Sequence, residues 1–294
     1  MEKLNITVIG GSGFLGSHVA DQMSTEGHIV KIYDNKASPW LREDQTMMIG
    51  DLLDFESLSK AIAGSDVVCN FAAIADLIES RDNLLDTIRI NVLGNAYALD
   101  ACRMNKVKRF VFASTVYVYS REGGFYRCSK QASEHFVEEY QRVHDLDYTI
   151  LRFGSLYGPR SDERNGLYRI VRDALKNNIV SYEGDSEAMR EYIHVEDAAR
   201  ASVVALGDDF RNQSVVLTGQ EPMRVNDLLN MLAEILGIKE GVKFLGASHE
   251  GRYVRTPYSY QPKLGRKYIP PMHVDLGQGL LQLISEISQQ IKKL

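Results

Sequence analysis

Apolar residues arrive along the first half of the chain in two alternating patterns. Short unbroken runs, "NITVIG", "HIVKIYD", "TMMIGD", "DVVCNFAA", "RFVFAST" and "YTILRFG", are rich in Val, Ile and Phe, as strands buried on both faces must be. Between them, "FLGSHVADQMSTEG", "FESLSKAIAGS" and "NVLGNAYALDACRMN" carry apolar residues every three or four positions, the period of a helix with one buried face. Strands alternating with helices predict a parallel sheet covered on both sides.

After about residue 155 the pattern loosens. "GLYRIVRDALKNN", "VNDLLNMLAEILG" and the terminal "LGQGLLQLISEISQQIKKL" read as helices set among loops rich in Tyr, Arg and Pro. "EYIHVEDAARASVVAL" reads as one more strand and helix returning to the first lobe. The expected division is a first lobe of residues 1–155 joined by 190–217, and a smaller, mixed α/β lobe of 156–189 and 218–294.

Composition narrows the class of partner. The 294 residues are 44% hydrophobic and 25% charged, with a net charge of -5 and no long basic run, which argues against nucleic acid or an anionic membrane. No apolar stretch approaches membrane-spanning length, and the strand-like start lacks the apolar segment of a signal peptide. A cytoplasmic protein is the expectation. Cys69, Cys102 and Cys128 have neither paired spacing nor an even count, so no disulfide framework or zinc site is expected. His194 is followed by Glu196 and Asp197, which read as helix-start acids rather than metal ligands.

The candidate chemistry begins at "VIGGSGFLGSHVA", where Gly10, Gly13 and Gly16 stand three apart, with Phe14 and Leu15 among them. The turn follows the first strand and opens the first helix, so backbone amides and the helix N-terminus face an anion. Asp34 closes the second strand and precedes Asn35; an acid there suits the free ribose hydroxyls of NAD and repels the phosphate of NADP. Together these predict a Rossmann-type, doubly wound NAD-binding domain.

Tyr126 and Lys130 lie four apart in "YRCSKQASEHFVEEYQRVH", hence on one helical face. An adjacent ammonium favours phenolate, and such a phenol can take a proton from an alcohol while its carbon gives hydride to nicotinamide.

With these two motifs the chain resembles the extended short-chain dehydrogenase/reductase family, in its NAD-dependent epimerase/dehydratase branch acting on nucleotide sugars. "NFAA", "NVLGN", "LRFGSLYGPR" and "REYIHVEDAA" are similar to its "HLAA", "NVxGT", "LRYFNVYGPR" and "RDFIHVDDVA". The resemblance implies cofactor contacts at Asp51, Leu52, Phe71, Ala72, Ala73, Asn91, Ser114 and Phe153, as well as at Tyr126 and Lys130. It makes Thr115 the third catalytic group. It also implies substrate contacts at Thr115, Ser155, Asn165, Tyr182 and Arg190, with a second arginine from Arg255 or Arg252. A homodimer is implied, paired through helices after the fourth and fifth strands, to which "HFVEEYQRVH" would contribute.

The family's 4,6-dehydratases carry an Asp-Glu pair after the catalytic threonine, and its decarboxylases a Glu; here Val116 and Tyr117 stand there. The resemblance therefore implies a nucleotide-sugar epimerase inverting C4 through a transient 4-ketosugar. The alternatives are a 4,6-dehydratase with an unusual acid such as Tyr117, a ketosugar reductase, or a non-catalytic NAD-sensing protein. The segment between Thr115 and Tyr126 is short, and Ser155 stands where the family has Asn, so the sugar end of the pocket is expected to differ.

Overall fold

The computed structural model describes residues 3–239, 241–246 and 252–258. The chain divides into Met1–Gln261 and Pro262–Leu294. The predicted terminal helix, 276–294, lies outside the described residues.

The elements of the first half are β1 (Asn5–Ile9), α1 (Phe14–Thr25), β2 (Ile29–Asp34), β3 (Gln45–Ile49), α2 (Phe55–Ile62), β4 (Val67–Asn70), α3 (Leu77–Asp82) and α4 (Leu84–Thr87). A π-helical segment, Ile88–Leu93, leads from α4 into α5 (Gly94–Met104), followed by β5 (Arg109–Thr115), α6 (Gly124–His144) and β6 (Asp147–Phe153). Then come β7 (Ser155–Tyr157), α7 (Gly166–Asn177), β8 (Val180–Tyr182), β9 (Met189–His194), α8 (Val195–Val204), β10 (Gln213–Leu217), β11 (Pro222–Arg224), α9 (Val225–Leu236) and β12 (Val242–Phe244).

Seven strands form the main sheet in the order β10-β6-β5-β4-β1-β2-β3, every neighbour parallel. This is a Rossmann-like α/β sheet, with order reversing beside β1. β4 and β5 are buried at every residue, which is why their sequences run apolar without alternation. One face packs against α1 and α8 through Val19, Met23, Ala199 and Val203. The other packs against α2, α5 and α6 through Leu58, Leu99 and Val137. A separate cluster, including Ala174, Tyr182, Leu229 and Ala233, gives α7, β8 and α9 their own core.

β9 does not return to the large sheet; it lies between β11 and β7 in a three-stranded sheet. Both of its edges are occupied there; β10 joins the large sheet, α8 packs beside α1, and Ile193 of β9 reaches the same apolar cluster. His194 caps α8, its Nδ1 accepting from the Glu196 amide at 3.4 Å. Among the described residues no group of three or more His, Cys, Asp or Glu is placed to hold a metal ion, and no helix is long and apolar enough to cross a membrane.

Candidate active site

Two cavities open beyond the carboxyl ends of the strands, where sheets of this kind bind ligands. The smaller, about 440 Å³, is walled by Gly10, Ser12, Gly13, Asp34, Asn35, Asp51, Leu52 and Phe71–Ala73, among others. The backbone at Gly10 has φ +77°, and a Cβ there would sit 2.5 Å from the Ala72 amide nitrogen. A Cβ on Gly16 would meet the Gly10 carbonyl oxygen at 2.2 Å. Glycine is therefore required both for the turn and for the approach of α1 to it. The Asp34 carboxylate is fixed at the cavity wall, accepting from the Ser12 amide at 3.0 Å and the Lys36 amide at 3.2 Å. Turn, helix N-terminus and fixed acid fit a dinucleotide.

Several expected cofactor residues take other duties. Leu15 packs into the core and Phe14 meets His18 edge-on; neither walls the cavity, so the first turn of α1 offers backbone amides rather than side chains. Asn91 is buried, and its amide grips the backbone of Ile74 from both sides (2.8 and 2.9 Å) and donates to Ser129 at 2.9 Å. It holds the loop after β4 instead of facing the cavity. Ser114 is turned onto Glu134, donating at 2.5 Å. Phe153 is a core residue beside Phe71.

The larger cavity, about 1390 Å³, is walled by Thr115 and Tyr117, by Ser155, Asn165 and Tyr182, and by Arg190 and Arg252. Thr115 ends β5 and caps the 3₁₀ turn Val116–Tyr119, its Oγ1 accepting from the Tyr117 amide at 3.3 Å. Its side chain is also hydrogen-bonded to the phenol of Tyr126. Burial pushes that phenol up to about 12, with the Thr115 bond pulling the other way.

Lys130 does not lower the phenol as the spacing predicts. Its Nζ donates to the Ala113 carbonyl at 2.7 Å, lies 4.7 Å from the centroid of Phe112 and stays 5.9 Å from that of Tyr126. Burial takes Lys130 itself down to about 7, opposed by Glu134. Desolvation is the leading influence on both groups. Neither Tyr126 nor Lys130 is a wall residue of these two cavities; Thr115 is.

Arg190, expected at the nucleotide end of a substrate, is buried, its guanidinium 4.5 Å from the centroid of Tyr253, and it donates to the Met189 and Val254 carbonyls at 3.0 and 3.3 Å. Arg255 was expected to be the second arginine, with Arg252 as its alternative; Arg252 walls the cavity, whereas Arg255 is exposed at a bend and is not among its wall residues. Asn165 caps α7, accepting from Leu167 and Tyr168 and donating to Leu156, so its amide is already engaged. Ser155 lies 3.3 Å from the Tyr253 hydroxyl.

Sequence reasoning missed Arg127, Arg169, Tyr192 and Tyr253 on the wall, and it missed Glu134 and Arg152 behind it. Only Glu134 had a signal: it stands one further turn along the face of Tyr126 and Lys130.

The comparisons agree with this architecture. The model of the "NAD dependent epimerase/dehydratase family" matches residues 6–217. A putative UDP-glucose 4-epimerase of Methanocaldococcus jannaschii is 26% identical over 95% of this chain and 97% of its own length. A UDP-N-acetyl-α-D-glucosaminuronate decarboxylase of Bacillus cytotoxicus is 29% identical over 74% of this chain and 76% of its own. The crystal structure of Thermus thermophilus UDP-glucose 4-epimerase in complex with NAD superposes with a TM-score of 0.77 at 27% identity, covering 90% of this chain and 95% of that one. With the glycine turn, the fixed acid and the Thr115–Tyr126–Lys130 cluster in place, the match over most of its length means that the chain belongs to the NAD-dependent epimerase/dehydratase family.

Proposed function

We propose that the protein is an NAD-dependent nucleotide-sugar epimerase that inverts C4 through a transient 4-ketosugar. The observation that carries this reading is the turn after β5. Thr115, hydrogen-bonded to Tyr126, is followed by buried Val116 and by Tyr117, whose ring lies against Tyr253 at 4.7 Å. Neither of the two residues following Thr115 carries a carboxylate to remove a proton from C5, as elimination requires.

NAD, held at the Gly10–Gly13 turn and by Asp34 in the smaller cavity, would supply the hydride acceptor and donor for the sugar carbon. Thr115 orients the reacting sugar hydroxyl from the cavity wall. Tyr126 Oη takes that hydroxyl's proton and gives it back, and Lys130 supplies positive charge behind it. Arg190 and Arg252 meet the diphosphate with charge-assisted hydrogen bonds. Tyr182 serves the base end, and Ser155 the phosphate. A UDP-sugar is the first substrate to try, given the relatives' names. The protein is also proposed to act as a cytoplasmic homodimer paired through α6 and the helix spanning 84–104.

A second reading, dehydration or decarboxylation, is favoured by one feature: Glu122 is a wall residue of the larger cavity. A panel of UDP-, GDP-, CDP- and dTDP-sugars followed by NMR separates the two. A C4-inverted product without net change in cofactor is expected; a 4-keto-6-deoxy or decarboxylated product would overturn the epimerase reading. Tyr126→Phe should cut turnover by about 10²–10⁴-fold while NAD stays bound, and retained activity would refute the role given to Tyr126.

A further inference from the structure

Tyr126, Lys130 and Glu134 mark three successive turns of α6, and each touches the carboxyl end of β5. Tyr126 bonds Thr115, Lys130 Nζ donates to the Ala113 carbonyl at 2.7 Å, and Glu134 accepts from Ser114 Oγ at 2.5 Å. The third contact belongs to a larger buried group. Arg152, on β6, donates from Nε to Glu134 Oε1 at 3.0 Å and from a terminal nitrogen to Oε2 at 2.7 Å. Its other terminal nitrogen donates to the Tyr119 hydroxyl at 2.5 Å, with the guanidinium 4.8 Å from the centroid of that ring. Glu134 and Arg152 side chains are 7% and 13% exposed. A carboxylate with both oxygens engaged by neighbours on β5 and β6 is fixed in place, and removing one member leaves costly unpaired groups.

We propose that Glu134 is the positioning residue of this site: its carboxylate holds the Ser114–Thr115 strand end against α6 and provides the counter-charge that keeps Lys130 an ammonium. The inference rests on the proposed roles of Thr115, Tyr126 and Lys130. It acts through them, since Glu134 walls neither cavity.

The surroundings of Lys130 make the counter-charge matter. β5 presents it with a carbonyl and the Phe112 ring, neither of them charged. From α6 it faces the phenol of Tyr126 and the carboxylate of Glu134; from β6, Arg152 stands on the far side of that carboxylate. Burial strips the ammonium of water and favours its neutral form, and Glu134 opposes this. Arg152 in turn shares the Glu134 charge, so the network sets how much of that field reaches the lysine.

Three variants separate field from scaffold. The readout for the field is the pH titration of the Lys130 13Cε resonance in lysine-labelled free protein, the resonance identified by its loss in Lys130→Met. Glu134→Gln should move the Lys130 midpoint down by about one unit, and Arg152→Met, which leaves the carboxylate unshared, should move it up. A midpoint unmoved in either folded variant would overturn the counter-charge. The readout for the scaffold is kinetic. Ser114→Ala keeps the charges and should leave the midpoint in place while kcat falls about tenfold with little change in KM; an unchanged kcat would overturn the anchoring role. The titrations need no substrate. A shifted midpoint in a protein that turns over no nucleotide sugar would leave the counter-charge standing and count against the proposed function alone.

Discussion

The ammonium of Lys130 exchanges water for one carbonyl and an aromatic face, and that exchange weighs on the fold. The lysine titrates near 7 when folded and near ~10.4 in an unfolded chain. Between these values the unfolded chain holds the extra proton, so stability rises as pH rises through the window, and the cost of Lys130 is full below 7. Lys130→Met should therefore raise stability at pH 6 by about 1–2 kcal/mol, a few degrees in Tm, at the expense of turnover. Thermal melts at pH 6 and pH 10 would check it: the gain should shrink at the higher pH, and equal gains would exclude a charge effect. Tyr126 and Lys130 were legible in the sequence because both lie on one face of one helix. The duties of Asn91 and Asn165 were not, because their partners, Ile74 and Leu156, come from other segments. Arg255 was preferred over Arg252 from the sequence, but the chain bends at Val254 and Arg255, and Arg252 is the one on the cavity wall.

At the scale of elements, the six strands marked by apolar runs are all present in the large sheet, and the three helices between them form where the period places them. The short strands β7, β8, β11 and β12 have three residues each, too few to show alternation, and their pairing depends on distant partners. The π-helical segment also escaped notice, since its wider turn breaks the helical period inside "NVLGN". Asn91 falls in that segment and ties it to the loop carrying Phe71–Ala73 on one side and to α6 on the other. Ser133 of α6 returns the contact, donating to the Asn91 carbonyl at 2.7 Å. Asn91→Ala would leave the Ile74 amide and carbonyl without those partners, a loss of about 1–3 kcal/mol. The variant should melt earlier and bind NAD about tenfold more weakly, although the side chain walls no part of the cavity. Calorimetric titration with NAD tests this; unchanged affinity would mean that the loop holds its shape without the asparagine.

For the molecule as a whole, the surface outside the two cavities carries one more argument. α6 and the helix running through 84–104 pack side by side, yet Leu85, Ile88, Leu93, Phe136 and Val143 on them remain exposed. Large apolar side chains gathered on neighbouring helices usually mark a contact with another protein. A second copy is the simplest partner, because a two-fold contact lets the same helices cover one another. The same α6 carries Tyr126, Lys130 and Glu134 on its inner side, so pairing through its outer side would stiffen the helix that holds the catalytic groups. Light scattering during gel filtration should give a mass of twice 33.1 kDa for the full chain. Phe136→Glu, which places a charge where the paired helices would meet, should return the mass to 33.1 kDa and lower the melting temperature. A wild-type chain that elutes as a monomer at micromolar concentration would refute the pairing, and a Phe136→Glu dimer would move it to another face.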